Sequence, residues 1–489
     1  MDYNEELQAL LDISIALSAE KDHNKLFNLI ITKSMDVANC DAGTLYLYED
    51  EKLHFKIMKT LSMNVDKGSD GSAIDLPPVE LKPENICAYC AINRQILNIP
   101  DVYASESFDF SGPKKYDSMT GYHTGSMMAI PLIDSDDKVV GVLQLINAKD
   151  KDGNTIAFDQ SLEQIIYALA SQAAIAVSNM RYQEELKDQM WSFAEAMATA
   201  IDERTPYNAT HTRKVAKYSG MLADHINKLH EEGKEEEYFD KNRKEQLVMG
   251  ALLHDIGKLV TPLEVMNKAT RLGEKEAELK DRIHDIRLYA KVDELEGRIS
   301  HEDFESVNSK LTESLDMIGK VNTAGFVDDD TYSSLQAIFE YEYDHNGEKV
   351  PFFTEEEKEC LSVRKGTLTA DERKIMEDHV VVTAKILDKV HFGKYFANTP
   401  ILAAQHHECL NGKGYPNHIT AEDLSTDARI LAVADICDAL LATDRPYKKP
   451  IPKDKALDIM RDMARCGNID GKLVEYMAEC LGQAEQTTD

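Results

Sequence analysis

The feature that most constrains this chain is a stretch from about residue 160 to 203 that contains neither glycine nor proline. Its apolar residues first recur at alternating steps of four and three: Leu162, Ile166, Leu169, Ala173, Ala176 and Met180. After a one-residue break in phase, nearly the same spacing resumes in Leu186, Met190, Phe193, Met197 and Ile201. This period predicts one long helix. Either the helix packs on its own domain at both ends, or it forms a coiled coil that links the domains of a parallel dimer.

The composition of the 489 residues limits what the chain can bind. Asp and Glu number 87 against 55 Lys and Arg, so the formal charge is -32. Such a surface repels nucleic acid and anionic membranes, although a small phosphate ligand held by a metal ion stays compatible with it. No apolar run is long enough for a membrane span, and the eight cysteines are too sparse for a disulfide scaffold. We therefore expect a cytoplasmic protein.

The segment before the long helix, residues 1–160, mixes helices with strands. Residues 4–19 and the run LFNLIITKSMDVANC have helical patterns, whereas GTLYLYE, HFKIMK, SMMAIPLI and VVGVLQLINA resemble strands. The order predicts an α+β domain of the sensor type, followed by a helical linker over 161–200.

The segment after it, residues 195–489, is predicted to be all-α and holds 12 of the 15 histidines. Within it, residues 271–362 carry 24 acidic against 11 basic side chains. We interpret 271–299 as a charged, solvated helix, and VDDD and TEEEKEC as acidic turns. His284 and His301 are expected to face solvent. This segment is predicted to be an acidic, mostly helical insertion resting on a compact domain.

The strongest local signal is ALLHDIGKL, residues 251–259. His254 and Asp255 offer an imidazole and a carboxylate that can bridge two metals, and Lys258 lies one turn further on, within reach of a phosphate oxygen. Alone, the pair would more often be an ordinary surface His-Asp dipeptide. Further donors accompany it, however, in His211, His379, His406, His407 and Asp435. Five imidazoles and two carboxylates suit two bridged transition metals, which favours phosphodiester hydrolysis.

In this order, His211, HDIGK, His379, HHE, the Gly412-to-Pro416 turn, Asp435 and DRPYK resemble the HD-GYP phosphodiesterases. The resemblance implies a helical HD-type domain that hydrolyses cyclic dinucleotides, usually cyclic di-GMP. It assigns the first metal to His211, His254, Asp255 and Asp435. It assigns the second to Asp255, as the bridge, with His379, His406 and His407.

The resemblance also implies roles toward the substrate. Lys258 is expected to act in catalysis beside Asp255, and Arg445 and Lys448 are expected to meet the phosphates. Gly414, Tyr415 and Pro416 would line the site.

Two departures from the family pattern stand out: the 271–362 insertion replaces a short link, and Tyr207 stands where some members carry a carboxylate for a third metal. The second departure favours a two-metal site. The imidazole and carboxylate donors suit iron or manganese foremost, with zinc, cobalt and nickel as alternatives.

The N-terminal domain is similar to GAF domains. LQLINAKDKDGNTIAFDQSLEQ resembles their nucleotide-binding signature in part, because Ala148 separates Asn147 from Lys149, and Leu162-Glu163 replaces Asp-Glu. A bound cyclic nucleotide is one option among several. Cys87 and Cys90 form a lone CxxC, which indicates core cysteines more than a metal or redox site.

These patterns predict a bacterial signalling enzyme in which a GAF sensor, through a helical linker and in a parallel homodimer, regulates an HD-GYP phosphodiesterase. The expected reaction converts cyclic di-GMP to pGpG, with GMP as a possible further product. Two alternatives stay open: the same chemistry on a hybrid cyclic dinucleotide or another phosphoester, and a non-catalytic cyclic-dinucleotide receptor.

Overall fold

The computed structural model describes residues 11–17, 19–20, 22–204, 210–442 and 451–486. The chain divides into two compact units, Met1–Gln189 and Met190–Asp489. Among the described residues, no helix combines the length and the apolarity that crossing a lipid bilayer requires. Of the helix predicted over 4–19, residues 4–10 lie outside the described residues, and residues 11–17 are helical.

The first unit is an α+β domain around one antiparallel sheet, as the sequence predicted. Its elements, in chain order, are α1 (His23–Ala38), β1 (Cys40–Glu49), β2 (Lys52–Thr60), β3 (Val65–Lys67), β4 (Val79–Glu80), α2 (Ile86–Asn93), β5 (Leu97–Ile99), α3 (Ser111–Thr120), β6 (Met127–Ile133), β7 (Val139–Lys149) and β8 (Thr155–Ile156). In the sheet, the strands are ordered β3-β2-β1-β7-β6-β5, with β4 beside β2 and β8 beside β7.

The two faces of this sheet bury different side chains, because successive residues of a strand point in opposite directions. Leu45 and Leu47 of β1 belong to a core that includes residues of α1 and of the long helix. Tyr46, between them, belongs to a second cluster that also contains Cys87. On that side the sheet borders a cavity of about 340 Å³. Burial raises the pKa of the Cys87 thiol to about 12, which agrees with a core cysteine.

Asn147 of the partial GAF signature has a structural role here. Its backbone has a φ of 60°, and its side chain donates to the Tyr122 hydroxyl and to the His123 carbonyl. It also accepts a hydrogen bond from the Gly125 N–H at 2.7 Å. These contacts connect β7 to the loop that precedes β6.

The long helix, α4, spans Leu162–Asp202 and continues across the division between the units. Ile166, Leu169, Ala173 and Met180 of the predicted seam are buried in the core of the first unit. Ile201 is buried in the core of the second unit, and Met190, Phe193 and Met197 pack partly buried against it. The helix therefore packs on its own domain at each end. Leu186, between these ends, is 61% exposed.

The second unit is built mainly of helices. After α4 come α5 (His211–Glu231), α6 (Lys241–Leu253), a 3-10 turn (Ile256–Val260), and α7 (Leu263–Met266). After the insertion come α12 (Ala370–Leu387), α13 (Thr399–Ala403), α14 (Thr426–Leu441), α15 (Lys453–Arg465) and α16 (Gly471–Gln486). Helices α5, α6 and α14 contribute most of the fully buried apolar residues of a shared core. The metal-binding motifs lie on or beside these helices.

The insertion is mostly helical, as predicted, but it has a core that was not predicted. Its helices are α8 (Lys275–Leu295), α9 (His301–Asn322), α10 (Asp329–Phe339) and α11 (Glu355–Leu361), with a hairpin of β9 (Glu342–His345) and β10 (Glu348–Pro351). They enclose a hydrophobic core of their own, from Leu272 to Leu361. The interpretation of α8 as a solvated helix was wrong, because Leu279, Ile283, Ile286 and Ala290 are buried.

The two predicted acidic turns were also wrong, since both are first turns of helices. Asp328 caps α10, and Thr354 and Glu357 form a capping box on α11. Carboxylates are favourable there, because they oppose the positive end of the helix dipole. His284 and His301 are exposed, as predicted.

One fully buried arginine anchors the insertion. Arg271 has 0% of its surface exposed. Its guanidinium donates to the carbonyls of Val321 and Ala324, around the end of α9, and to that of Val363, just after the insertion. A buried guanidinium is stable only when such acceptors surround it. Arg271 therefore holds the two ends of the insertion together.

Candidate metal centre

The seven predicted ligands come together in one buried site. They lie at the start of α5, at the end of α6, on α12 and α14, and in the turn after α13: His211, His254, Asp255, His379, Asp435, His406 and His407. All are buried except His407, whose side chain is 28% exposed. The elements that supply them are separated by as many as 224 positions, so only the tertiary fold joins them.

The histidines form two clusters, and Asp255 lies between them. His211, His254 and Asp255 can share one ion, and His379, His406 and His407 can share another. Oδ2 of Asp255 lies 3.3 Å from Nε2 of His254 and 3.6 Å from Nε2 of His211. Oδ1 lies 3.3 Å from Nε2 of His379 and 3.8 Å from Nε2 of His406. The two oxygens of one carboxylate thus face different clusters, as a bridging ligand requires.

Asp435 also faces both clusters. Its Oδ1 lies 3.2 Å from Nε2 of His211 and 4.0 Å from Nε2 of His254. Its Oδ2 lies 4.0 Å from Nδ1 of His407. The resemblance had assigned Asp435 to the first cluster alone, whereas its position here lets it contact either one.

Backbone carbonyls orient three of the rings. The Nδ1 atoms of His254, His379 and His406 lie 2.5–2.8 Å from the carbonyl oxygens three residues earlier, those of Ala251, Met376 and Ala403. A ring that donates its Nδ1–H to a carbonyl presents the lone pair of Nε2 on its other side. The three Nε2 atoms are therefore available to a metal.

A carboxylate orients the fourth ring. Nδ1 of His211 lies 2.7 Å from Oδ2 of Asp438, which is 2% exposed. Asp438 lies one turn after Asp435 on α14, so one helix supplies both a candidate ligand and the group that orients another ligand.

Burial and the neighbouring charges keep three donors, His406, His407 and Asp255, in the form that binds metal. Burial and the neighbouring histidines hold the pKa of His406 well below its usual range, and burial lowers the pKa of His407 to about 4. Burial disfavours the Asp255 carboxylate, but His254 and Lys258 outweigh it and hold the pKa of Asp255 well below its usual value. His211 is the exception: against burial, Asp435 and Asp438 raise its pKa to about 9. A bound cation would take the place of that proton.

Two buried polar atoms indicate that a ligand belongs here. Nε2 of His254 and Oδ1 of Asp255 have no hydrogen-bond partner within the described part of the chain. An unpaired buried polar atom is costly, and coordination satisfies both atoms at once. The imidazole and carboxylate donors therefore fit a divalent transition metal.

A close backbone contact fixes the HD pair against α12. The Gly257 N–H donates to Oγ1 of Thr383 at 3.0 Å, and the same hydroxyl donates to the His254 carbonyl at 3.0 Å. A Cβ atom at Gly257 would come within 1.9 Å of the His379 carbonyl oxygen. The close approach of these two backbone segments therefore requires glycine at this position of HDIGK. The same contact sets the distance between the two histidine clusters.

The Gly-Tyr-Pro turn packs against the second cluster. The Tyr415 N–H donates to the His407 carbonyl, and the two rings are 4.8 Å apart. The buried Glu408 carboxylate accepts hydrogen bonds from the backbone of Asn417 and Ile419, which closes the turn. A Cβ at Gly414 would lie 2.3 Å from the Cys409 nitrogen, so this glycine too is fixed by packing. The Tyr415–Pro416 peptide is cis.

The remaining predicted residues divide into two groups. Lys258 lies at the site, with Nζ 2.5 Å from Oδ2 of Asp255 and its side chain 18% exposed. Arg445 and Lys448, predicted to meet the substrate, and Tyr207 lie outside the described residues. Sequence reasoning missed the roles of Asp438, Thr383 and Glu408, which hold ligands or turns and bind no metal themselves.

Comparison with known proteins finds similarity to GAF and HD domains in this chain. A GAF domain model matches residues 22–177, and two HD domain models match residues 208–321 and 358–473. The family resemblance inferred from the motifs is thereby confirmed. The gap between the two HD matches falls within the insertion.

Two curated relatives resemble part of the chain. The 3'3'-cGAMP-specific phosphodiesterase 3 of Vibrio cholerae is 40% identical over 97 residues, 20% of this chain and 20% of the relative. The cyclic di-GMP phosphodiesterase response regulator RpfG of Xanthomonas campestris is 34% identical over 129 residues, 26% of this chain and 33% of the relative. The chain therefore matches at most a third of the length of these relatives.

We expect Asp255→Ala to lose most of the bound transition metal, because both clusters lose the carboxylate they share. Outer partners of metal ligands typically contribute about 10–100-fold in affinity, and a shared ligand should contribute at least that much. Metal analysis of the purified variant measures this. Asp388→Ala, an exposed acid on the same unit, is the matched control and should keep its metal. Wild-type metal content in Asp255→Ala would show that the site has been misassigned.

Proposed function

We propose that this chain, which carries a GAF domain and an HD domain, is a metal-dependent phosphodiesterase that hydrolyses cyclic dinucleotides. The observation that carries this proposal is the division of the Asp255 carboxylate between two histidine clusters. The names of the relatives support the substrate class, since each is a phosphodiesterase for cyclic di-GMP or 3'3'-cGAMP. Cyclic di-GMP is the foremost candidate, and the product is pGpG, which GMP can follow.

We propose two metal ions per chain, iron or manganese foremost, with zinc, cobalt and nickel as alternatives. When bound, a metal pair supplies water activation and charge neutralisation for in-line displacement at phosphorus. The chain's own residues hold the donors: the carbonyls behind His254, His379 and His406 fix the rings, and Asp438 fixes His211. Hydrolysis adds water across one P–O bond, so that the leaving oxygen takes a proton and the phosphate stays on the other nucleotide.

Lys258 has a separate role in this proposal. Its ammonium group contacts Asp255 and remains partly exposed, so it can contact a phosphate oxygen beside the metal centre. Arg445 and Lys448 are proposed to meet the substrate phosphates as well, and Tyr415 with its neighbours Gly414 and Pro416 to line the site.

A hybrid substrate is the second candidate. The 40% identical relative from Vibrio cholerae is named as specific for 3'3'-cGAMP, so its similarity favours this nucleotide as directly as cyclic di-GMP. A non-catalytic receptor is the third candidate. The complete donor set argues against it, because a receptor has no need for seven ligands and a lysine.

The GAF domain is proposed to be the regulatory part of a cytoplasmic signalling enzyme. Its cavity of about 340 Å³ has the size of a small-ligand site and is lined by mainly apolar side chains together with polar ones such as Thr44, Gln144 and Tyr122.

A product assay tests the proposed activity. Metal-loaded protein is incubated with cyclic di-GMP, 3'3'-cGAMP and cyclic di-AMP, and products are separated over time. We expect hydrolysis of cyclic di-GMP with pGpG accumulating before GMP. Preference for 3'3'-cGAMP would favour the hybrid substrate, and binding without turnover of any of the three would favour the receptor.

We also propose a parallel homodimer. Ile175, Tyr182 and Leu186 lie along one side of α4 and are 37%, 44% and 61% exposed. Exposed apolar side chains at this spacing suit a second copy of the same helix. Sedimentation velocity of the wild type should show a dimer, and Leu186→Glu should weaken it more than Glu184→Gln does. A monomeric wild type at working concentration would contradict this proposal.

Lys258→Ala should lower turnover while leaving metal content near normal. Loss of one positioned charge beside a developing negative charge commonly reduces the rate about 10²–10³-fold. Lys385→Ala, an exposed lysine on α12, is the control and should retain wild-type turnover. If Lys258→Ala loses its metal as Asp255→Ala does, Lys258 maintains the centre and has no separate role in catalysis.

A further inference from the structure

The last turns of α4 belong to the core of the second unit. Ala194 and Ala198 have no exposed surface, and Ile201 is 6% exposed in that core. Asp202, the final residue of the helix, is 3% exposed. A buried carboxylate needs partners that satisfy it. The hydrogen-bond partners of Asp202 identify the part of the chain that the end of α4 contacts.

Both carboxylate oxygens of Asp202 are used by the first turn of α5. Oδ1 accepts a hydrogen bond from the Thr212 hydroxyl at 2.8 Å, and Thr212 is fully buried. Oδ2 accepts one from the Arg213 guanidinium at 3.2 Å. Arg213 also donates to the Thr199 hydroxyl at 2.8 Å and lies 3.5 Å from Glu195. Glu195, Thr199 and Asp202 share one face of α4, so this face holds two successive residues of α5.

The residue immediately before them is His211. It is the first residue of α5, and the N-cap, Thr210, makes no side-chain capping hydrogen bond. The start of the helix therefore lacks the local contact that commonly fixes a first turn. In its place, Asp202 holds the turn from outside through Thr212 and Arg213.

We propose that Asp202 is a positioning residue for His211, and hence for the first metal of the centre, an inference that rests on the proposed metal-dependent function. Two carboxylates then determine where this ring lies. Asp438 orients it directly through Nδ1, and Asp202 fixes the backbone that carries it. Asp202 contacts neither ligand atoms nor substrate. Because α4 begins in the GAF-containing unit, its last residue also connects that helix to a metal ligand.

The test compares metal affinity and turnover in variants of the full chain. Asp202→Ala removes both acceptors, and Asp202→Asn keeps an amide oxygen for the Thr212 hydroxyl. Thr212→Val removes the donor with little change of shape, and Thr212→Ser keeps it. Glu195→Gln is the matched control, because Glu195 is a 52% exposed partner of the same arginine.

Cobalt titration, followed by its absorption bands, measures metal binding without substrate. We expect Asp202→Ala and Thr212→Val to weaken the binding of one of the two ions about 10-fold, at the low end of the range for outer partners because they act through the backbone. The turnover number should fall while KM changes little. Asp202→Asn, Thr212→Ser and Glu195→Gln should stay within about 3-fold of wild type. The effects of Asp202→Ala and Thr212→Val should not add when combined.

A merely structural role would give another result. In that case, Asp202→Ala and Thr212→Val would lower the unfolding temperature of the metal-free protein and leave cobalt affinity and turnover unchanged, which overturns the proposal. If Asp202→Ala does not fold, Thr212→Val decides the question by the same measurements, with Thr212→Ser as its control. A wild type that binds cobalt but hydrolyses no cyclic dinucleotide would refute the proposed function, while the cobalt titrations would still decide the role of Asp202.

Discussion

The interaction on which this structure depends is the sharing of one buried carboxylate by two sets of imidazoles. Asp255 is 1% exposed, and a charge so far from water is stable only with compensating groups around it. His254, Lys258 and His379 provide that compensation from three directions. The elements that carry these groups must therefore pack close to the carboxylate. The buried charge of Asp255 constrains both the geometry of the site and the packing of these elements.

The same region shows how the domain tolerates a long interruption. The sequence leaves the HD motif, forms the insertion, and returns to supply His379 on α12. The Gly257–Thr383 contact restores the register between the two parts, because it fixes α12 against the backbone of the HD motif. The insertion has its own hydrophobic core. Among the described residues, this core shares no member with the core formed by α5, α6 and α14.

The sequence was sufficient for the fold classes and for choosing seven candidate ligands that the fold brings together, because donor chemistry and motif order are local properties. It could not identify Asp438, Thr383 and Glu408, whose roles depend on partners up to 227 positions away. The periodic apolar residues of α4 predicted the helix. Their spacing does not show which part of the protein packs against them. Ile166 packs in the core of the first unit and Ile201 in the core of the second. The acidic insertion was misread for a related reason. Its charge count concealed a core that only the spacing of Leu279, Ile283 and Ile286 could reveal.

Several close contacts join the chain on the two sides of the insertion. The Thr367 hydroxyl donates to the Lys268 carbonyl at 2.9 Å, and the ammonium group of Lys268 is paired with Glu372 at the start of α12. The Arg271 guanidinium donates to the Val363 carbonyl in the same region. Two points of a chain that lie this close can be joined by a short turn. A turn of a few residues in place of the nearly one hundred between Lys268 and Thr367 would therefore leave the HD motif and α12 at the same separation.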